Sequence, residues 1–281
     1  MPSKLRHRRQ AWLVLIASTL AFTVCFMVWM MFGVLGIPVG RMLQLSATEV
    51  GLMMGLPILT GSLVRMPLGL WTDRSDGRRL MVCMLALAIP ALWSLTFATA
   101  YWQFLLAGGV IGLVGGVFAV GTPYVAYWFD RSQQGMAMGV FGAGNVGAAL
   151  NQLVAPVLLV GFGWAAVPQM YAALMLVFWG LSYPAPPKAH KPPMRWRQQM
   201  RLLLEPKVLR YCQYYSVVFG GFVALALWLV QHYVGEYRLN IRNAALLAVL
   251  FTLPSGLTRG VGGVQAYPDR AGSVCLWGLW V

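Results

Sequence analysis

Apolar residues run in long blocks along this chain instead of alternating with polar ones. The blocks extend from Ala11 to Gly36 and then over 49–71, 80–99, 102–127, 134–160, 164–183, 211–234 and 243–263. A helix needs about 20 apolar residues to cross the hydrocarbon core of a bilayer. The pattern therefore predicts eight spanning helices, with the divisions at Ala100 to Trp102 and Gly161 to Gly163 resting on the shortest gaps. The first block follows Lys4, Arg6, Arg8 and Arg9 in the manner of a signal peptide. It runs well past a signal core, which holds roughly 7 to roughly 15 residues. It is read as a retained span. One long polar connection, Pro184 to Arg210, separates six spans from the last two.

Composition supports a membrane protein. Of 281 residues 59% are apolar and 10% charged, with a mean hydropathy of +0.68. A soluble domain carries roughly 25% charged residues. The net charge of +14 first suggests an acidic partner, but its placement assigns it to topology. Of the 21 basic residues, sixteen fall at the N-terminus, in even-numbered connections or after the last span, and Arg41, Arg238 and Arg242 fall on the other side. Because cytoplasmic connections retain Lys and Arg, a cytoplasmic N-terminus is expected, in a bacterial-type inner membrane. No readable patch for nucleic acid is formed. The cysteines, Cys25, Cys83, Cys212 and Cys275, are too scattered for a metal knuckle or a CxxC pair, and no cofactor is called for. Neither is an enzyme, since the spans offer no nucleophile–base pair or metal cluster.

Two arginines remain, Arg65 and Arg259, both inside apolar blocks, while all seven acids map to connections or tails. A central arginine costs about 2.5 to about 3.5 kcal/mol on insertion scales. Its planar fork of donors suits a small oxyanion. Snorkelling to the interface is the competing reading. Arg65 lies eight residues from Asp73, which is about 12 Å along a helix. The two surroundings repeat: Gly61 to Gly69 aligns with Ser255 to Gly263 at an offset of 194, placing Arg65 over Arg259. An internal repeat of this kind implies two related halves with a substrate site between them.

The connection after the second span, Gly69-Leu-Trp-Thr-Asp73-Arg74-Ser-Asp-Gly77-Arg78-Arg79, resembles the cytoplasmic loop motif of the major facilitator superfamily. Span 5 carries Phe141-Gly-Ala-Gly144-Asn145-Val-Gly147, followed by Asn151-Gln152 and Pro156, and resembles the signature of the nitrate/nitrite porter family within it. The resemblance covers the chain to about Gly263. It implies an all-α polytopic fold, with a complete six-helix bundle over 1–183, a basic and Pro-rich cytoplasmic linker over 184–210, two helices of a second bundle over 211–263 and an aberrant tail over 264–281. It also implies that Arg65 and Arg259 clamp nitrate or nitrite, that Asn145, beside Gly144, adds a hydrogen bond, and that aromatic rings sandwich the planar anion. Tyr215, Phe219, Phe118 and Phe32 are the matching rings, although periodicity alone fits ordinary packing equally well. Gly69, Asp73, Arg74, Gly77, Arg78 and Arg79 would hold the cytoplasmic helix ends in one transport state, Asp73 accepting from amides at a helix N-terminus.

Glycines 108, 112 and 116 on span 4, and 135, 139 and 147 with Ala143 on span 5, recur at four-residue intervals and predict close-packed seams. Arg195 to Leu204 reads equally as an amphipathic surface helix or as a solvated loop. Family members have twelve spans, and a second copy of the span-5 signature does not occur before Val281, so a truncated or frameshifted member is expected. Exchange of one anion for another is the simplest mechanism, with proton symport and an inert membrane fragment or association partner as alternatives. The bilayer is the other expected partner, and a monomer the expected form.

Overall fold

The computed structural model describes residues 2–72, 74–182, 201–202 and 204–265. Asp73, most of the 184–210 connection and the tail beyond Gln265 lie outside the described residues. Helix dominates because a backbone in hydrocarbon must satisfy its N–H and C=O groups internally. The elements are α1 (Pro2–Trp29), α2 (Phe32–Met42), α3 (Ala47–Thr72), α4 (Gly77–Leu95), α5 (Tyr101–Gly112), α6 (Val117–Ala126), α7 (Arg131–Gly142), α8 (Gly147–Phe162), α9 (Ala166–Ser182), α10 (Pro206–Glu236) and α11 (Ile241–Gln265). Among the described residues seven helical stretches are long and apolar enough to cross a membrane. The sixth expected span, α9, has 17 described residues and is shorter than the others.

Three spans are broken where hydropathy predicts continuous helices. Span 1 divides at Met30 and Met31 into α1 and α2 and continues past Gly36 to Met42. Span 4 contains a 3₁₀ segment at Leu113–Gly116 between α5 and α6, and span 5 contains one at Ala143–Val146 between α7 and α8. A 3₁₀ turn re-routes hydrogen bonds to i+3 and often marks a functional hinge.

Polar residues collect at helix starts. Ser46 and Glu49 form a reciprocal cap on α3. Glu49 Oε2 accepts from Ser46 N at 2.8 Å, and Ser46 Oγ accepts from Glu49 N at 3.3 Å. Asp76 caps α4 by accepting from Arg78 N at 3.1 Å, and Asn240 accepts from Asn243 N at 2.8 Å at the start of α11. Short polar side chains suit these positions because they satisfy amides that have no partner within the helix. The connections define two ends. The near end holds the start of α1 and the 74–76 and 127–130 connections; the far end holds 43–46, 96–100, 163–165 and 237–240.

Span 1 is the central pillar: 72% of its apolar window is buried, against 28% for α3. Its neighbours approach closely because glycine removes the side chain in between. A Cβ at Gly112 would lie 2.6 Å from the Pro57 carbonyl of α3, and one at Gly116 would lie 3.0 Å from Val64, so the expected span-4 seam packs on α3. On span 5 a Cβ at Gly147 would lie 2.8 Å from Met27 N. Gly147→Val forces a branched side chain into the α1 backbone, and overpacking typically costs about 1 to about 3 kcal/mol. The expected outcome is a lower melting temperature and loss of the monodisperse peak in detergent; an unchanged elution profile and melting curve would contradict the seam.

Candidate functional site

The broken spans converge on the two arginines. Arg65, on α3, is half-buried; its Nε donates to the Gly115 carbonyl at 3.0 Å, an acceptor inside the 3₁₀ segment of span 4. Its Cζ stands 5.0 Å from the Trp29 ring and 4.9 Å from the Phe219 ring. Arg259, on α11, is also half-buried, with its Cζ 5.2 Å from Phe219 and 5.7 Å from Phe222. Both cations therefore share the Phe219 ring and lie close to each other. Trp29 is fixed in turn by its Nε1–H, which donates to Pro57 O at 2.8 Å.

Each ring contact contributes about 0.5 to about 1 kcal/mol, or about 2 kcal/mol when desolvated. These contacts lower the cost of burial without neutralising the charge. Two like charges about 10 Å apart, the widest separation that a shared ring allows, repel by about 2 kcal/mol at an effective dielectric of about 20, whereas an anion about 4 Å from one of them is attracted by about 4 kcal/mol. Among the described residues neither arginine has an ion-pair partner; Arg78 pairs with Asp76 at 3.4 Å, but in the 74–76 connection at the near end. An anion between the two arginines would convert a repulsive pair into an attractive triad.

The rings form a column. Tyr215 and Phe219 stack at 5.1 Å and 16°, Phe118 lies 6.5 Å from Tyr215 at 17°, and Phe141 lies 5.8 Å from Phe118 at 17°. Tyr215 stacks on Phe219, the ring that both guanidinium groups face. The structure thus brings together Arg65, Arg259, Tyr215, Phe219 and Phe118. Phe32 lies elsewhere, fully buried on α2 with its ring facing Gly108 of α5. Trp29 and Phe222 join the cations, and Phe22 and Phe141 extend the column. Sequence reasoning misses these four rings, because apolar periodicity gives every aromatic of a buried face the same weight.

Asn145 sits in the 3₁₀ segment of span 5, with no exposed surface and with both Oδ1 and Nδ2 buried without a hydrogen-bond partner. Its position is tight against α11, since a Cβ at Gly256 would lie 2.9 Å from Val146 N and 3.4 Å from the Asn145 carbonyl carbon. Arg259 is on the same helix, within 3.9 Å of a Cβ built at Gly142. The space beside Gly144 is taken by the Phe22 ring. In the loop motif Asp76 caps α4, while Asp73, the amide acceptor expected from the sequence, lies outside the described residues; Gly77 allows close approach to Tyr124, 2.9 Å from a built Cβ. Arg74 and Arg79 are exposed, Arg78 pairs with Asp76, and Gly69 faces open space.

A bundle of spanning-length apolar helices around two half-buried cations is the architecture of a multi-pass membrane protein. The Major Facilitator Superfamily model matches residues 17–277, and the chain belongs to that superfamily. Within it the chain is related to nitrate/nitrite transporters. It is 38% identical over 289 residues to a protein named as a probable nitrate/nitrite antiporter of Thermus thermophilus, covering 97% of this chain and 65% of the relative. It is 30% identical over 253 residues to the nitrite extrusion protein of Bacillus subtilis (strain 168), covering 89% and 64%. With a probable nitrate/nitrite transporter of Mycobacterium tuberculosis (strain ATCC 25618 / H37Rv) the identity is 32% over 259 residues, covering 89% and 65%. The chain thus spans just under two thirds of the length of these relatives. Its fold is similar to that of a bacterial homolog to the human lysosomal transporter Spinster, inward-facing and unoccupied, at a TM-score of 0.62 and 18% identity, covering 90% of this chain and 61% of that one.

Asn145 and Asn151 make a test of role. Asn151 Nδ2 donates to Met30 O at 3.0 Å and its Oδ1 accepts from Tyr171 OH at 2.8 Å. Asn151→Leu should lower unfolding stability by about 2 kcal/mol, because it leaves the buried Tyr171 hydroxyl unpaired and removes one of the two bonds to the Met30 carbonyl, which keeps Gly33 N. Asn145→Leu breaks no bond within the protein and should leave the anion-free melting temperature unchanged or raised. Equal losses in both variants would contradict a ligand role for Asn145.

Proposed function

We propose that the chain carries the anion site of a nitrate/nitrite transporter that works by alternating access between two bundles, one formed by the six spans before the 184–210 connection and one containing α10 and α11. The observation that carries this reading is the convergence of two half-buried arginines on one ring, beside a buried amide with both polar atoms unpartnered. Arg65 and Arg259 would hold the anion, Asn145 would donate to an anion oxygen, and Phe219, Tyr215 and Phe118 would line its planar faces. Phe32 would act by holding Gly108 and α5 in place. The near end would be cytoplasmic, in accord with the basic residues there, and the 69–79 connection would lock the near ends of spans 2, 3 and 4 in one state.

Exchange is favoured over proton symport by the chemistry of the interior. Among the described residues the histidine within a span, His232, is exposed and four residues from the far end of α10, and the acids lie at helix ends or in connections. No carboxylate among them is placed to carry a proton through the site.

Nitrate should raise the melting temperature of the purified chain in a concentration-dependent way, as any ligand binding only the folded state does. Chloride at equal ionic strength should not. Arg65→Lys should abolish the nitrate effect while shifting the anion-free melting temperature little, since a lysine keeps the charge but lacks the fork. Absence of nitrate stabilisation in the parent chain would refute the site. In proteoliposomes, uptake driven by internal nitrite without a pH gradient is expected, and strict dependence on a pH gradient would refute exchange.

A further inference from the structure

Adjacent residues of α8 reach to different parts of the molecule. Asn151 bonds within the first six spans, to Met30 at the break in span 1 and to Tyr171 of α9. Gln152, 2% exposed, points to the other bundle: its Nε2 donates to Ala226 O of α10 at 3.0 Å, and its Oε1 accepts from Thr252 Oγ1 of α11 at 2.6 Å. Thr252 is itself fully buried, and its one hydroxyl proton has the Ala248 carbonyl of its own helix, 3.2 Å away, as the alternative acceptor to Gln152 Oε1.

The three partners share one level. Gln152 lies seven residues beyond Asn145, Ala226 seven beyond Phe219, and Thr252 seven before Arg259 on a helix running the opposite way. At about 1.5 Å per residue each is displaced by about 10 Å toward the far end from the layer of the site. At the same level α2 meets α10 so closely that a Cβ at Gly33 would lie 2.8 Å from Leu227 O.

We infer that Gln152, with Thr252 and the Ala226 carbonyl, is a polar latch that closes the far end of the transport path, and that releasing both bonds is part of opening it. The latch rests on the two-bundle reading above and not on the identity of the anion. A buried amide is suited to this task. While the path is closed, desolvation makes an alternative pairing costly and fixes the register of α8 against α10 and α11. Once the bundles part, water replaces both partners, so the net difference between the states stays small. Aliphatic side chains at these positions would have no comparable compensation on wetting. Asn151 has no such role, since its bonds do not cross between bundles.

The test measures the far-end gap in the full chain, with native cysteines replaced by alanine and spin labels at Val160→Cys and Arg242→Cys, at the far ends of spans 5 and 8. Gln152→Asn, one methylene too short for both partners, and Thr252→Val should each raise the ratio of long to short label distances roughly tenfold, because each leaves a buried amide atom unpaired only while the path is closed. Gln152→Leu, whose apolar side chain has no compensation on wetting, should lower it. The double variant of Gln152→Asn with Thr252→Val should add little to either. Should Gln152→Asn fail to fold, Thr252→Val, which removes the partner of Gln152 Oε1, should still give the shift. Asn151→Leu should lower the melting temperature and leave the distances unchanged. An unchanged distribution in Gln152→Asn and Thr252→Val, or an equal shift in Asn151→Leu, overturns the latch. Nitrate stabilisation measured on the same samples separates the two readings: wider distances in a chain that never responds to nitrate uphold the latch and sink the anion site, and unchanged distances in a chain that does respond sink only the latch.

Discussion

Two permanently charged groups without a carboxylate partner among the described residues, held in the interior of an apolar bundle, set the terms for the rest of this structure. Each arginine needs compensation that leaves its charge available. The fold supplies it with ring faces and a carbonyl, not with acids. Trp29, Phe219 and Phe222 offer quadrupoles, and the Gly115 carbonyl offers a lone pair that a 3₁₀ turn makes accessible. An ion pair with Asp or Glu would have lowered the cost more, but it would also have consumed the attraction that a ligand anion needs. The aromatic content of the interior follows from that choice.

The same constraint explains the glycines. Aromatic rings of this size reach a guanidinium group on a neighbouring helix only if the backbones come close. Gly61, Gly115 and Gly147 provide the room, the first two flanking the Trp29 indole and the third receiving α1. Close approach also accounts for the breaks in spans 4 and 5, because their Gly-rich segments have little side-chain packing to hold a regular α turn. Spans 4 and 5 each distort where they face the cations, and both segments carry a polar group turned to use: the Gly115 carbonyl and the Asn145 amide.

Much of this is legible in the sequence, for physical reasons. Apolar blocks of spanning length are hard to mistake, and an arginine is conspicuous in a block whose interior otherwise holds no charge. The loop and span-5 motifs point to the family through glycine, whose positions are set by backbone contact. The breaks in spans 1, 4 and 5 are not legible, since hydropathy does not register whether a hydrogen bond goes to i+3 or i+4. Among the aromatics, Phe219 and Tyr215 are marked by resemblance, yet Trp29, which stands nearly as close to Arg65 as Phe219 does, reads as one more apolar residue in span 1. The α4 cap falls on Asp76 because the helix begins at Gly77. A boundary of that kind falls within the few residues that pattern leaves open.

The amides of span 5 show most clearly where reading by residue type stops. Asn145, Asn151 and Gln152 lie within eight positions, and none is more than 2% exposed. In a soluble protein each would be taken for a satisfied core polar group. Here the first is unpaired, the second ties its own bundle together, and the third crosses to the helices beyond the long connection. The difference comes from angle along one helix: residues one apart point about 100° away from each other, so Asn151 and Gln152 must serve different neighbours. Asn145 is set apart by the 3₁₀ turn that carries it. A membrane interior makes all three assignments consequential, since an amide without a partner there has no water to fall back on. An unpaired amide beside two unneutralised cations is therefore a cost that the fold keeps at one place, and the donors and charges gathered there match what a small planar oxyanion lacks when it leaves water.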